Sequence, residues 1–320
     1  MTVLVTGGAG FIGSHFIERL LARGGDAKVL CLDNFNDYYD PALKRANVAR
    51  FAHDKRLIVV ERTFCDAQAM RHLLDIHRVR HVVHLGAYAG VRASIARPQL
   101  YEEANVRGTR ALLEAARACP VERFLLISSS TVYGPEAGVP FQEDAPLGAP
   151  LSLYGATKRA AELLGQTYHQ LHGVPLVCLR PFSVYGPRIR PDLAMWVFAE
   201  SIAAGRAVPL FGDGRMRRDF THVSDICDGL LSALEAENVA GEAINLGHHE
   251  PVIVREMLSL LEDALGRKAV IDQRPALPVD MPVTCADLTK AERLLGYRPK
   301  VALADGVRDF VAWFRGTKSA

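Results

Sequence analysis

Val3-Leu4-Val5-Thr6-Gly7-Gly8-Ala9-Gly10-Phe11-Ile12-Gly13 is an apolar run that breaks into glycines and resumes as an amphipathic stretch over 11–23. A short β-branched run, a glycine break and a 3.6-residue apolar period predict strand, tight turn and helix. The glycines at 7, 10 and 13 form GxxGxxG, a variant of the GxGxxG fingerprint of dinucleotide-binding turns. A tight turn, a pyrophosphate close to the backbone, and helix-on-strand packing each exclude a Cβ. The following helix then aims its free N-terminal N–H groups at the phosphates. Gly7, Gly10, Phe11, Ile12 and Gly13 are the first cofactor-binding candidates.

Working outward, apolar runs at 2–6, 28–32, 57–60, 81–85, 123–127 and 176–179 alternate with helical patterns at 11–23, 67–77, 100–118 and 154–171. The runs are continuously apolar, as strands covered on both faces require, and the alternation implies βαβ units. After Arg180, prolines at 181, 187, 191 and 209 and the glycines of Phe211-Gly212-Asp213-Gly214 break the chain into loops. A helix over 224–237 and a strand over 243–246 look like a return to the sheet. Further helical patterns cover 254–265, 288–295 and 304–314. The expectation is an α/β protein, a doubly wound parallel (Rossmann) sheet with a smaller C-terminal α/β substrate lobe. Residues 1–182 form the first domain, with 222–246 returning to it; 183–221 and 247–320 form the lobe. Ligands should lie between them, at the carboxyl ends of the strands.

Composition narrows the class. A chain of 320 residues with 49% hydrophobic content can bury a large core. Its 38 basic residues balance 36 acidic ones, which argues against nucleic-acid and membrane-surface partners. The one short basic cluster, Arg215, Arg217 and Arg218, fits a local anion site or a solvated turn. No apolar run approaches the ~20 residues of a membrane span, and the chain enters its first strand without a charged leader. Cys31, Cys65, Cys119, Cys178, Cys227 and Cys285 are widely spaced, form no CxxC and have mostly apolar neighbours. They read as buried thiols of a reducing, cytoplasmic setting. His81 and His84 flank a strand with no third ligand in view, so no metal is expected.

Asp33 stands about 20 residues past Gly13, at the end of the second strand, where a carboxylate accepts the adenosine ribose hydroxyls. No Arg or Lys occupies 34–37 to offset its charge, so NAD is expected over NADP. Asp66 could meet the adenine amino group or cap the next helix. Tyr154-Gly155-Ala156-Thr157-Lys158 puts a phenol and an ammonium on one helical face. Ser128-Ser129-Ser130 follows the strand ending at Ile127. Glycine turn, serine cluster and YxxxK in this order make coincidence a poor explanation.

With these residues assembled, the chain resembles an extended short-chain dehydrogenase/reductase of the nucleotide-sugar epimerase and dehydratase group. The match runs through GGAGFIG, Asp33, His84-Leu85-Gly86-Ala87, Asn105, the serines, YGATK, the 180–187 segment Arg-Pro-Phe-Ser-Val-Tyr-Gly-Pro, Arg218-Asp219-Phe220 and Leu295-Gly296-Tyr297. In such families the Tyr is the base, the Lys binds the nicotinamide ribose and lowers the Tyr pKa, and a Ser or Thr bridges Tyr and substrate. That implies Tyr154 and Lys158, with Ser129 as the hydroxyl and Ser128 and Ser130 as fallbacks. It also implies NAD contacts from Asn34, Asn36, Leu85, Gly86, Ala87, Asn105, Pro181, Ser183 and Val184. A tyrosine of pKa ~10 must shift by about 3 units, or ~4 kcal/mol, to act near pH 7. Lys158 and the nicotinamide charge together suffice for that at an effective dielectric of ~20.

Dehydratases and decarboxylases of this group carry an acidic residue just before Val-Tyr-Gly; here those positions are Ser130 and Thr131. Oxidation and re-reduction at a sugar C4 remains. The 33–41 segment Asp-Asn-Phe-Asn-Asp-Tyr-Tyr-Asp-Pro, and Gly186-Pro187 leading to Arg190-Pro191-Asp192, resemble UDP-glucuronate 4-epimerases more than UDP-glucose ones. That resemblance puts Arg190 and Ser183 near the sugar C6 carboxylate, Arg218 on the diphosphate, Asp280 on the uridine ribose, and Arg92 and Phe211 on the substrate. Arg188-Ile189 departs from the Trp-Gly common there, and Tyr88 stands where a small or amide residue is frequent. The helices at 100–118 and 154–171 resemble those that pair in homodimeric relatives. The expected activity is NAD-dependent C4 epimerisation of a UDP-hexuronic acid. A UDP-glucose 4-epimerase, a dehydratase or decarboxylase, and an NAD-sensing module without catalysis are the rivals; the last would be expected to lose Tyr154 or Lys158.

Overall fold

Every residue of Thr2–Thr6 (β1) is buried, because this strand lies inside a sheet covered on both faces. Val3 and Val5 join one apolar cluster and Leu4 the other, the alternation a pleated strand imposes. The structure, a computed structural model, describes residues 2–318; residues 1, 319 and 320 of the expected domains lie outside the described residues. Lys28–Asp33 (β2), Leu57–Glu61 (β3), His81–His84 (β4), Arg123–Ile127 (β5) and Leu176–Pro181 (β6) complete the row with Ala243–Leu246. Their order is Ala243–Leu246, β6, β5, β4, β1, β2, β3, and every pairing is parallel. The expected doubly wound α/β fold is present.

That order has a consequence for function. The chain builds β1, β2 and β3 outward on one side, then returns to place β4 on the opposite flank of β1. The connections after β1 and β4 therefore diverge, opening a crevice at the carboxyl ends of these two strands. The glycine turn follows Thr6, and residues 85–92 follow His84; both rim the crevice.

Three short two-stranded pieces lie outside the sheet: Val184–Tyr185 with Thr221–His222, Arg217–Asp219 with Pro251–Ile253, and Ala207–Phe211 with Val270–Arg274. Helices Ala194–Ala204, Val254–Leu265 and Leu303–Lys318 accompany them. Their apolar faces (Phe198, Met257, Leu261, Phe310, Phe314) share one cluster with Val3, Val5 and Val29 of the sheet. Several of these elements gave no clear period in the sequence. Helix Pro41–Ala49 also went unread, although Asp40 accepts the Ala42 N–H at 2.9 Å and Pro41 opens the helix. The pattern at 100–118 is one continuous helical run, Pro98–Tyr101 passing through a π segment, Glu102–Gly108, into Thr109–Ala118. Among the described residues no helix is long and apolar enough to cross a membrane, and all six cysteines are free.

Candidate active site

The glycines behave as their spacing demands. Gly7 has φ +64°, and a Cβ there would lie 2.9 Å from Gly86. A Cβ on Gly13 would meet the Gly7 carbonyl oxygen at 2.3 Å, whereas one on Gly10 would meet only that oxygen, at 3.1 Å. Helix Phe11–Ala22 carries neither a side-chain cap nor an acidic residue in its first turn, so its leading N–H groups stay available to an anion. Phe11 is buried and Ile12 half-buried. This cradle fits a dinucleotide pyrophosphate.

Asp33 is buried at the end of β2; its Oδ1 accepts the Phe35 N–H at 2.9 Å. Helix Pro41–Ala49 brings Lys44 to 3.6 Å from the same oxygen. The cation absent from residues 34–37 is supplied by this next helix. Burial lowers the Lys44 pKa and Asp33 opposes that shift. Asn36 Oδ1 accepts from Lys44 at 3.1 Å and Asn34 Oδ1 accepts from the Asn36 amide at 2.9 Å, so both asparagines shape the turn that presents Asp33. Asp66 is the N-cap of Ala67–Ile76, its Oδ1 accepting from Gln68 and Ala69 at 3.0 Å.

One segment then runs the length of the crevice. The Gly86 N–H donates to Thr6 Oγ1 at 3.0 Å, and this hydroxyl also meets His84 Nδ1 at 2.7 Å. His84 Nε2 reaches Thr109 Oγ1 at 3.0 Å, tying the strand end to the long helix. Leu85 and Ala87 are half-buried beside Gly86. Asn105, in the π segment, accepts the Tyr88 N–H and donates to the Tyr88 carbonyl, both at 2.9 Å, and donates to Thr157 at 3.0 Å. Its amide thus spends these bonds on holding the loop and the YxxxK helix together. Beyond it, the Ala89 carbonyl accepts from Tyr38 at 2.7 Å and Arg190 at 3.2 Å, and the Gly90 carbonyl accepts from Tyr101 at 3.1 Å. The segment ends at Arg92, which pairs with Asp280 at 3.4 Å and stacks 3.8 Å over the Phe211 ring.

Helix Leu153–His172 sets Tyr154 against this segment, its ring edge-on to Tyr101 at 6.1 Å. Burial raises the phenol pKa, while a hydrogen bond to Ser129 and the Arg190 charge pull it down. Ser129 Oγ accepts from Thr131 Oγ1 at 3.0 Å, which leaves its own proton for the phenol oxygen. Ser128 is buried beside Glu162 instead, and Ser130 starts a short turn, Ser130–Val132. Lys158 departs from the expected arrangement. Its Nζ donates to the Ile127 carbonyl at 2.8 Å, and burial lowers its pKa to about 8. Arg190, from the loop after β6, adds a cation that acts on the phenol.

Pro181 ends β6 against Leu246. The Ser183 carbonyl accepts the Thr221 N–H at 3.2 Å, and Val184 pairs with Thr221. Arg190 forks onto Asp192 through Nε and Nη2, both at 2.9 Å. Arg188, the departure noted in the sequence, turns away from the crevice in left-handed backbone (φ 62°) and pairs with Glu18 of the first helix. Tyr88 packs on Tyr38 and Tyr101 at 5.5 and 5.9 Å. At the far end Arg218 donates to the Met281 carbonyl at 2.6 Å, near Asp280 and Arg92, and Arg274 lies 5.8 Å from Phe211. Sequence reasoning missed Tyr38, Lys44, Tyr101, Thr131, Asp192 and Arg274. Tyr38, Asp192 and Thr131 lay inside or beside the quoted motifs; the others left no local signal. Among the described residues no group of three or more His, Cys, Asp or Glu could hold a metal ion.

The chain matches the NAD dependent epimerase/dehydratase family over residues 3–247. UDP-glucuronate 4-epimerase 4 of Arabidopsis thaliana is 40% identical over 331 residues, covering 98% of this chain and 75% of the plant protein. UDP-glucuronate 4-epimerase of Thermodesulfobacterium geofontis is 38% identical over 313 residues, 97% of this chain and 95% of that protein. The crystal structure of UDP-glucuronic acid 4-epimerase from Bacillus cereus, in complex with UDP-glucuronic acid and NAD, superposes with a TM-score of 0.94 at 35% identity. It covers 99% of this chain and 100% of its own.

Proposed function

The chain belongs to the NAD dependent epimerase/dehydratase family, and from that premise we propose that it interconverts UDP-glucuronate and UDP-galacturonate. It is an isomerase acting at the sugar C4. The carrying observation is that Tyr154, Ser129 and Arg190 act on one another past the carboxyl ends of β4 and β5, in a sheet where β1 and its glycine turn lie next to β4. NAD, held by Gly7, Gly10, Gly13, the helix N-terminus and Asp33, supplies reversible acceptance of a hydride from C4 and adds positive charge near the phenol. Tyr154 takes the O4 proton, and Ser129, oriented by Thr131, shares it. Lys158 braces the β5 end through Ile127 and offers its remaining N–H groups to the cofactor ribose. Arg190 meets the C6 carboxylate through the Nη1 end of its guanidinium, next to Ser183. Arg92, Arg218, Phe211 and Asp280 take the UDP end. Thr131 supplies a hydroxyl where elimination would need a carboxylic acid, which argues against dehydration.

The division into 1–182 with 222–246, and 183–221 with 247–320, follows this use of the two parts. A homodimer is part of the proposal: Leu163 (49% exposed) lies on helix Leu153–His172, and Ile95 (58%) on Val91–Ala96, which packs against it. Six free cysteines suit a cytoplasmic site. The test is incubation with NAD and UDP-glucuronate, with UDP-glucose as comparator. A C4 epimer of the uronate is expected; conversion of the neutral sugar alone sinks the reading.

A further inference from the structure

Arg190 is the cation a sugar carboxylate would meet, yet its fork is already taken. Nε and Nη2 each donate to one Asp192 oxygen at 2.9 Å, and Nη2 also reaches the Ala89 carbonyl at 3.2 Å. Among the described residues, none of its hydrogen bonds uses Nη1. Asp192 is held in turn. The Leu193 N–H closes on the Arg190 carbonyl at 3.2 Å, setting both residues on one turn, and the Tyr38 hydroxyl donates at 2.7 Å to the same Ala89 carbonyl that Arg190 reaches. Gly90 leaves room for the group: a Cβ there would lie 2.9 Å from the Tyr38 oxygen and 3.7 Å from Asp192 Oδ2. The Asp192 side chain is 35% exposed, so the pair forms part of the crevice wall rather than a strut in the core.

Two effects of Asp192 oppose each other. Its bidentate contact fixes the plane of the guanidinium. Its negative charge also repels a second carboxylate arriving on the same cation. An anion at this position lowers affinity for a uronate while it fixes orientation. Orientation matters because a hexuronate at the 4-keto level is a β-keto acid. If its C5–C6 bond stands parallel to the π orbital of the C4 carbonyl, that bond breaks and C6 leaves as CO₂. The bonding pair becomes a C4–C5 enolate and C5 takes up a proton. Return of the two electrons removed at C4 gives a UDP-pentose, so the side reaction balances without an outside reagent.

We propose, resting on the UDP-hexuronate reading above, that Asp192 is a positioning residue for Arg190. It holds the Nε/Nη2 edge so that the substrate carboxylate docks on the Nη1 end in one rotation, and decarboxylation is suppressed. The test is Asp192→Asn, a nearly isosteric change at a partly exposed position. Binding of UDP-glucuronate and UDP-glucose is measured by calorimetry, and the product is partitioned between UDP-galacturonate and UDP-pentose. Loss of the repelling charge should tighten UDP-glucuronate binding at least about threefold, with UDP-glucose unchanged. Loss of orientation should raise the UDP-pentose fraction at least about fivefold. Asp192→Ala carries the same expectation for the product ratio and decides the matter should the amide fail to fold. An unchanged ratio overturns the proposal, as does weaker UDP-glucuronate binding by the Asn variant. A wild-type enzyme that makes no C4 epimer overturns the underlying reading and this proposal with it.

Discussion

The ammonium of Lys158 is bound to the backbone carbonyl of Ile127, at 2.8 Å, rather than to the phenol of Tyr154 one helical turn before it. Lys158 thus clamps the YxxxK helix to the end of β5, where Ser129 emerges. The phenol, raised by its own burial, then depends on Ser129, Arg190 and the bound cofactor to reach a useful pKa. Titration of Tyr154, read by ultraviolet difference spectra against Tyr154→Phe, should start above the free value in protein stripped of NAD. It should fall when NAD is restored. A phenol already acidic without NAD contradicts this account.

Replacing Tyr154 by Phe removes the proton acceptor and leaves the ring in place. Turnover should fall about 100-fold or more. UDP-glucuronate affinity, which the proposed function assigns mostly to Arg190 and the UDP contacts, should change little. Near-normal turnover would dismiss Tyr154 as the base.

Asp33 and Lys44 form a buried pair at 3.6 Å, so the ribose site is less negative than Asp33 alone would make it. Asp33→Asn should weaken NAD binding about tenfold or more and narrow its advantage over NADP, because the 2′-phosphate then meets Lys44 unopposed. Fluorescence titration with both dinucleotides measures the ratio. An unchanged ratio would mean that Asp33 does not read the ribose.

What could be read in advance, and what could not, follows from range. The strand-glycine-helix unit at residues 3–13 is local, and so are Tyr154 and Lys158 on one helix face. Their geometry follows from period and turn chemistry. The roles of Lys44 and Tyr101 depend on pairs that form only in the fold, Lys44 with Asp33 and Tyr101 with the Gly90 carbonyl, whereas Asp192 meets Arg190 two residues away. Each of the first two pairs is 11 residues apart and joins two different elements, so no helical or strand period links its halves. The Lys158 contact with the Ile127 carbonyl is hidden for the same reason: spacing cannot show which backbone atom of another strand an ammonium reaches.

Gly13 illustrates the local kind. A methyl group there would stand 2.3 Å from the Gly7 oxygen and 2.8 Å from the Gly8 Cα, both backbone atoms. Gly13→Ala should therefore push the helix off the turn, at a cost of about 1–3 kcal/mol. The melting temperature should fall and NAD should be lost on gel filtration. A variant that keeps both stability and NAD would show that the turn yields more easily than its contacts imply.

His84 offers a test of the buried bridge between Thr6 and Thr109. Burial, with a smaller push from the Lys158 charge, lowers its pKa from 6.5 to about 3. Between those values the unfolded chain holds the proton and the native chain does not, so stability is intact above pH 6.5 and lost as pH falls toward 3. One such group contributes up to ~1.4 kcal/mol per pH unit. His15, also lowered to about 3 by burial and the Arg188 charge, adds to the same window. Denaturant unfolding from pH 7 to pH 4 should show stability falling steadily in the wild type. In His84→Asn the value at pH 7 should be lower, because the bridge is weakened, but the pH slope should be shallower by about one proton's worth. Parallel slopes for the two proteins would show that His84 takes up its proton in the native fold and that the Thr6–His84–Thr109 bridge tolerates the charge.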